Sequence, residues 1–171
     1  MPTTEIRPVY SADEIAARVR DLAATIRAEV GDAEVFLLGV LKGASFFLAD
    51  LMRALPGSVT YSFIDVVRDM ADQTDALEID FLSFTDIRGR DVYLLKDVVT
   101  SGVIENYLLG QLRMHQPKQI RLVALLDRPD ARTVDIRTDH HLFTIGDGTF
   151  VGYGLEMQGR YGNLPYIGRV D

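Results

Sequence analysis

The chain has 171 residues, a length that fits one domain over residues 1–171, and it contains no cysteine, which excludes disulfides and thiolate metal sites. Its formal charge of −7 at pH 7 repels a nucleic-acid backbone, with no run of four Lys or Arg to offset it, so a nucleic-acid partner is not expected. No apolar stretch approaches the roughly 20 residues of a membrane span, and Met1-Pro2-Thr3-Thr4-Glu5 carries no basic segment ahead of an apolar core, so a cytoplasmic protein without a membrane partner is expected.

Ser11-Ala12-Asp13-Glu14 has the form of a capping box, and Ile15, Val19, Leu22 and Ile26 mark one face of a helix ending near Gly31. Glu34 to Val40 reads as a buried parallel strand, after which Leu41-Lys42-Gly43 turns into a helix through about Leu55. Pro56-Gly57 breaks the chain, Val59 to Ile64 gives a strand, Arg68 to Ala76 is polar enough for a mobile loop, and Ala76 to Phe81 forms a returning strand. Val92 to Leu95 is a short apolar run of strand formers, which predicts a central strand covered on both faces. Small polar residues follow at Thr100-Ser101-Gly102, and from Val103 the apolar residues Ile104, Tyr107, Leu108 and Leu112 recur at helical spacing. Further strands are predicted over Gln119–Leu126 and Leu142–Ile145, and the glycine-rich tail reads as an irregular cap with short strands. Strands alternating with helices give an α/β fold: a mostly parallel twisted sheet covered by helices on both faces.

A strand feeding a small-residue loop at a helix N-terminus aims backbone N–H groups and the positive dipole end at one spot, which suits a phosphate. Taken alone, the loop is better read as an ordinary strand-to-helix turn. The longer run Lys96-Asp97-Val98-Val99-Thr100-Ser101-Gly102-Val103-Ile104 resembles the phosphoribosyl-diphosphate (PRPP) signature of type I phosphoribosyltransferases. Four more segments stand in the order found in bacterial hypoxanthine-guanine phosphoribosyltransferases. They are Gly39-Val40-Leu41-Lys42-Gly43, Leu125-Leu126-Asp127-Arg128-Pro129, Val151-Gly152-Tyr153-Gly154-Leu155 and Asn163-Leu164-Pro165-Tyr166-Ile167-Gly168. The resemblance implies that family's fold, with a small hood built from the chain ends, and a homodimer or homotetramer.

It also implies roles. Leu41, Lys42 and Gly43 would meet the diphosphate, often through a cis peptide, and Thr100 to Ile104 would hold the 5′-phosphate. The two acids of the ribose clamp fall on Lys96 and Asp97, so one acceptor has become a donor. The catalytic acid-base group falls on Thr100, whose hydroxyl does not ionise near neutral pH, leaving Asp97 as the acid of the loop. The hydroxyl that should end the signature is Ile104. Around the base, the implied positions are Arg128, Phe150, Val151 and Glu156; Arg128 replaces a lysine, and the stacking aromatic aligns with Thr149, one residue before Phe150. Glu156 also takes the place of an aspartate near the metal, Mg²⁺, which is implied only together with PRPP. An arginine that contacts diphosphate corresponds to Gly162, and a closing-loop pair to about Arg68-Asp69.

Substitution thus concentrates on ligand-facing positions while the apolar framework persists. The expected function is binding of a purine nucleotide or PRPP, with transferase activity weak or absent. The alternative is a working transferase joining hypoxanthine or guanine to PRPP with Mg²⁺, and a third possibility is a regulatory or interaction protein with a vestigial pocket. His115, His140 and His141 are assigned to packing or surface.

Overall fold

The computed structural model describes residues 5–68, 77–81 and 86–171. The Ser11 side chain accepts from the Glu14 backbone N–H at 3.2 Å while Glu14 accepts from the Ser11 N–H at 2.8 Å, so the capping box starts α1 (Ala12–Val30) as its spacing predicts. Gly31, in the positive-φ region, ends it, and Ile15, Val19, Leu22, Ala23 and Ile26 form its buried face.

The main sheet has six strands in the order β4-β3-β2-β5-β6-β7. These are β2 (Val35–Val40), β3 (Val59–Arg68), β4 (Leu77–Phe81), β5 (Asp91–Val99), β6 (Gln119–Asp127) and β7 (His140–Thr144). All neighbours run parallel except β4, which returns antiparallel to β3. Alternation along β2 and β5 explains the two apolar layers, because successive side chains point to opposite faces. Leu37, Tyr93 and Leu95 pack with α1 and α2 (Ser45–Ala54). Phe36, Leu38, Val92 and Leu94 pack with Leu108, Leu109 and Leu112 of α3 (Val103–Arg113). Helices on both faces bury β2 completely, which is why it reads as one unbroken apolar run.

A separate antiparallel sheet, in the order β1-β9-β8, joins β1 (Ile6–Tyr10) to β9 (Ile167–Val170) and β8 (Thr149–Val151). It is the hood made from both ends of the chain. No helix among the described residues is long and apolar enough to cross a membrane.

Two strands outrun their apolar pattern. β3 continues past Ile64 to Arg68, and β5 continues past Leu95 because Lys96, Val98 and Val99 keep pairing with Ala124, Leu126 and Asp127. Lys96 and Asp97 therefore stand on the strand itself. Of the predicted mobile loop, Arg68 closes β3, and 69–76 lie outside the described residues together with Asp69 of the closing-loop pair.

Candidate functional site

The chain leaves β2 to build β3 on one side and later returns to build β5 on the other, so β2 and β5 flank the point where strand order reverses. Open α/β sheets bind ligands beyond the carboxyl ends of the strands at such a point. Lys42 and Gly43 stand beyond β2, and Asp97 to Gly102 stand at the end of β5 and in the turn after it. The two turns touch: a Cβ placed on Gly43 would lie 2.0 Å from Asp97 Oδ2, so only glycine admits this approach. The Leu41–Lys42 peptide is cis, as the resemblance implies.

A third turn closes the group. A Cβ on Gly154 would lie 2.9 Å from the Gly43 carbonyl oxygen, which sets residues 152–156 against the Lys42 turn. Tyr153 fixes this segment to α2, its hydroxyl donating to Asp50 at 2.6 Å. Burial, followed by that hydrogen bond, raises the pKa of the phenol, so the hydroxyl keeps its proton and the tie persists through neutral pH. Glu156 then reaches Lys42, with Oε2 2.6 Å from Nζ.

The loop after β5 is shaped by a residue that the sequence does not advertise. Arg132 donates to the carbonyls of Val99 at 3.1 Å and Arg128 at 3.2 Å, donates also to that of Thr100, and pairs with buried Asp127. Ser101 accepts from the Thr133 N–H at 3.0 Å, and the side chain of Ile136 fills the space beside Gly102, where a Cβ would lie 2.3 Å away. Gly102 has φ of 82°, a left-handed geometry that glycine adopts freely. The available signal for Arg132 is Asp127 itself, since an acid at the end of the buried stretch of β6 requires a cationic partner.

The candidate residues divide into those at the cleft and those spent on other contacts. Lys96 and Asp97 are half-buried and paired with each other through Nζ and Oδ1. Thr100 is exposed at the mouth of the loop, and the Ser101 hydroxyl accepts from the Val103 N–H at 3.4 Å. Ile104 is partly buried and packs against the apolar layer under α3, so a phosphate at this loop would meet backbone N–H groups where the signature has a hydroxyl. Arg128 is engaged by Asp147 at 2.8 Å and Asp130 at 3.4 Å. Phe150 packs partly on the core, Thr149 is exposed, and Val151 is fully buried and offers a base no side-chain surface. A Cβ on Gly162 would lie 2.9 Å from Glu156 Cγ, so Glu156 occupies the space beside Gly162. His140 meets Glu29 at 2.9 Å and His141 meets Thr144 at 3.0 Å, consistent with packing roles.

Sequence reading also passes over what burial does to Glu105 in the first turn of α3. It is only 4% exposed, and desolvation raises its pKa against the opposing effects of its own backbone N–H, Lys96 and Arg132. A raised folded-state pKa means the folded protein holds this proton more tightly than the unfolded chain. Stability from this group is therefore full below the unfolded value of about 4.3 and is lost as pH rises through the folded value. Glu105→Gln should raise the thermal midpoint relative to the parent at pH 7, with the difference shrinking toward pH ~4. Parallel midpoint curves for the two proteins would contradict this.

A magnesium ion held by the protein would need carboxylate oxygens turned toward it. Asp97 and Glu156 each carry a lysine ammonium in that position, and among the described residues no three His, Cys, Asp or Glu side chains gather for a metal. The residues present do not fit a protein-held Mg²⁺.

Fold and cleft together define an α/β protein of the doubly wound class with cationic and hydroxyl groups at its switch point. The phosphoribosyl transferase domain family matches residues 8–158. The hypoxanthine-guanine phosphoribosyltransferase of Bacillus subtilis is 36% identical over 162 residues, 94% of this chain and 90% of that protein. That of Mycobacterium avium is 35% identical over 171 residues, 95% of this chain and 84% of that protein. A crystal structure of a hypoxanthine-guanine phosphoribosyltransferase from Bacillus anthracis superposes with a TM-score of 0.90 at 32% identity, covering 98% of this chain and all of the other. The chain belongs to the type I phosphoribosyltransferases, in the hypoxanthine-guanine phosphoribosyltransferase family.

Proposed function

We propose that this family member binds a purine nucleotide or PRPP in the cleft between the ends of β2 and β5 and carries out transfer weakly or not at all. The observation supporting it is the Lys96–Asp97 pair at the ribose position, with exposed Thr100 where the acid-base group belongs. Asp97 is occupied by its neighbour, and a threonine hydroxyl cannot take the proton of a purine nitrogen at neutral pH. Backbone groups of Ser101, Gly102 and Val103 would hold the 5′-phosphate, the turn at Leu41, Lys42 and Gly43 the diphosphate, and Arg128 with Phe150 the base after rearrangement. A cytoplasmic homodimer or homotetramer belongs to the same proposal.

A second reading is a working salvage transferase joining hypoxanthine or guanine to PRPP with Mg²⁺, using Asp97 and Glu156. The names of the relatives favour it over weak transfer, since the Bacillus subtilis and Mycobacterium avium proteins are both called transferases. It requires Lys96 and Lys42 to release those carboxylates.

Binding is tested by thermal unfolding with IMP, GMP and PRPP. A ligand at 100 times its dissociation constant stabilises a protein by about 2.7 kcal/mol, so a rise of several degrees is expected with at least one of them. No rise with any would overturn binding and leave the interaction protein.

A further inference from the structure

We infer that the cleft neutralises a diphosphate group with the ammoniums of Lys42 and Lys96, without a divalent cation. This inference presupposes that the cleft takes a nucleotide or PRPP, and it names what supplies the positive charge. Two lysine–carboxylate pairs stand at the turn after β2 and at the end of β5. Lys42 pairs with Glu156, Lys96 pairs with Asp97, and Asp97 touches the Gly43 turn that carries Lys42. Among the described residues, each of the two carboxylates that could face Mg²⁺ here, Asp97 and Glu156, already carries an ammonium.

An ammonium donates three hydrogen bonds and accepts none. Each lysine can therefore keep one bond to its carboxylate and turn the others to phosphate oxygens. In this arrangement the carboxylates orient lysines, where in a metal site they would face the ion. Lys96 is well placed for this, because its side chain is only 17% exposed and its backbone is held in the ladder to β6 opposite Ala124. Limited water access strengthens a charge-assisted hydrogen bond. Lys42 is more exposed, at 72% of its side chain, and can follow a ligand. Gly162 reinforces the arrangement. Glu156, the partner of Lys42, lies against that position and occupies space an arginine there would need.

Magnesium in solution binds diphosphate and lowers its negative charge, which should weaken its hold on two lysines. Calorimetric titration with inorganic pyrophosphate in EDTA and in excess Mg²⁺ tests this directly. Binding is expected in EDTA, unchanged or weaker in Mg²⁺. Lys96→Met should weaken the metal-free binding by about tenfold or more, the loss of a charge-assisted bond. Lys96→Glu should abolish it and make any remaining binding depend on Mg²⁺. Tightening of the parent by Mg²⁺ of ~tenfold or more would overturn the inference, as would pyrophosphate failing to bind in both conditions or Lys96→Met behaving as the parent. The parent's own comparison needs no variant, so it stands if a substitution prevents folding. If PRPP or a nucleotide raises the thermal midpoint while pyrophosphate binding requires Mg²⁺, only this inference fails. If no such ligand raises it, nucleotide binding fails as well.

Discussion

With PRPP and Mg²⁺ saturating, Thr100→Asp combined with Lys96→Glu is expected to raise nucleotide formation from PRPP and hypoxanthine by about 10²- to 10⁴-fold, the usual contribution of a positioned acid-base group. Thr100 is exposed at the mouth of the loop, so a carboxylate there meets the ligand without displacing core. Arg132 already donates to its carbonyl and pins the backbone on which the new group would sit. The second substitution matters because Asp97 is otherwise held by Lys96. Thr100→Asp alone should give less than the pair, and Lys96→Glu alone little, since it supplies no base. If the double variant folds and its turnover is unchanged, the deficit lies elsewhere, with Gly162 and the Glu156 side chain beside it the next place to look.

Arg132→Met is expected to destabilise the protein by about 3–5 kcal/mol, because it leaves the Asp127 carboxylate buried and without its cation. The two side chains are 12% and 6% exposed, and Thr138, donating at 2.9 Å, is too weak a substitute for a guanidinium. For a chain of this size the thermal midpoint should fall by about 6–20 °C. The carbonyls of Val99, Thr100 and Arg128 lose their shared donor, so ligand affinity at the loop should fall too. Adding Asp127→Leu should restore much of the stability, because the penalty comes from the orphaned charge and not from the absent pair. A loss below about 1 kcal/mol for Arg132→Met would show that the pair is no more than a surface ion pair.

The framework was legible where the chemistry is periodic. A capping box, unbroken apolar strands and helical spacing after Val103 place α1, β2, β5 and α3 within a residue or two at most of the termini, apart from the C-terminal end of β5. The sequence underestimates β5 because Lys96 and Asp97 look like turn residues, while the ladder to β6 holds them in strand conformation. The separation of ligand-facing positions from framework positions came from the family resemblance, not from patterning. Side-chain partnerships were not legible at all. Nothing in the order of residues says that Lys42 meets Glu156, that Arg128 is engaged by Asp130 and Asp147, or that Arg132 ties three carbonyls together. Such contacts arise between segments distant in sequence or from chain reversals whose geometry composition does not set. The burial of Glu105 in the first turn of α3 is likewise a matter of packing in three dimensions.

The most direct test is steady-state turnover of the unaltered protein with saturating PRPP, Mg²⁺ and either hypoxanthine or guanine, followed by absorbance. A rate well below one per second is expected, together with a measurable midpoint shift from the same ligands. Turnover within the ordinary enzyme range of about 1 to 10³ per second would contradict the account and establish the salvage transferase in its place.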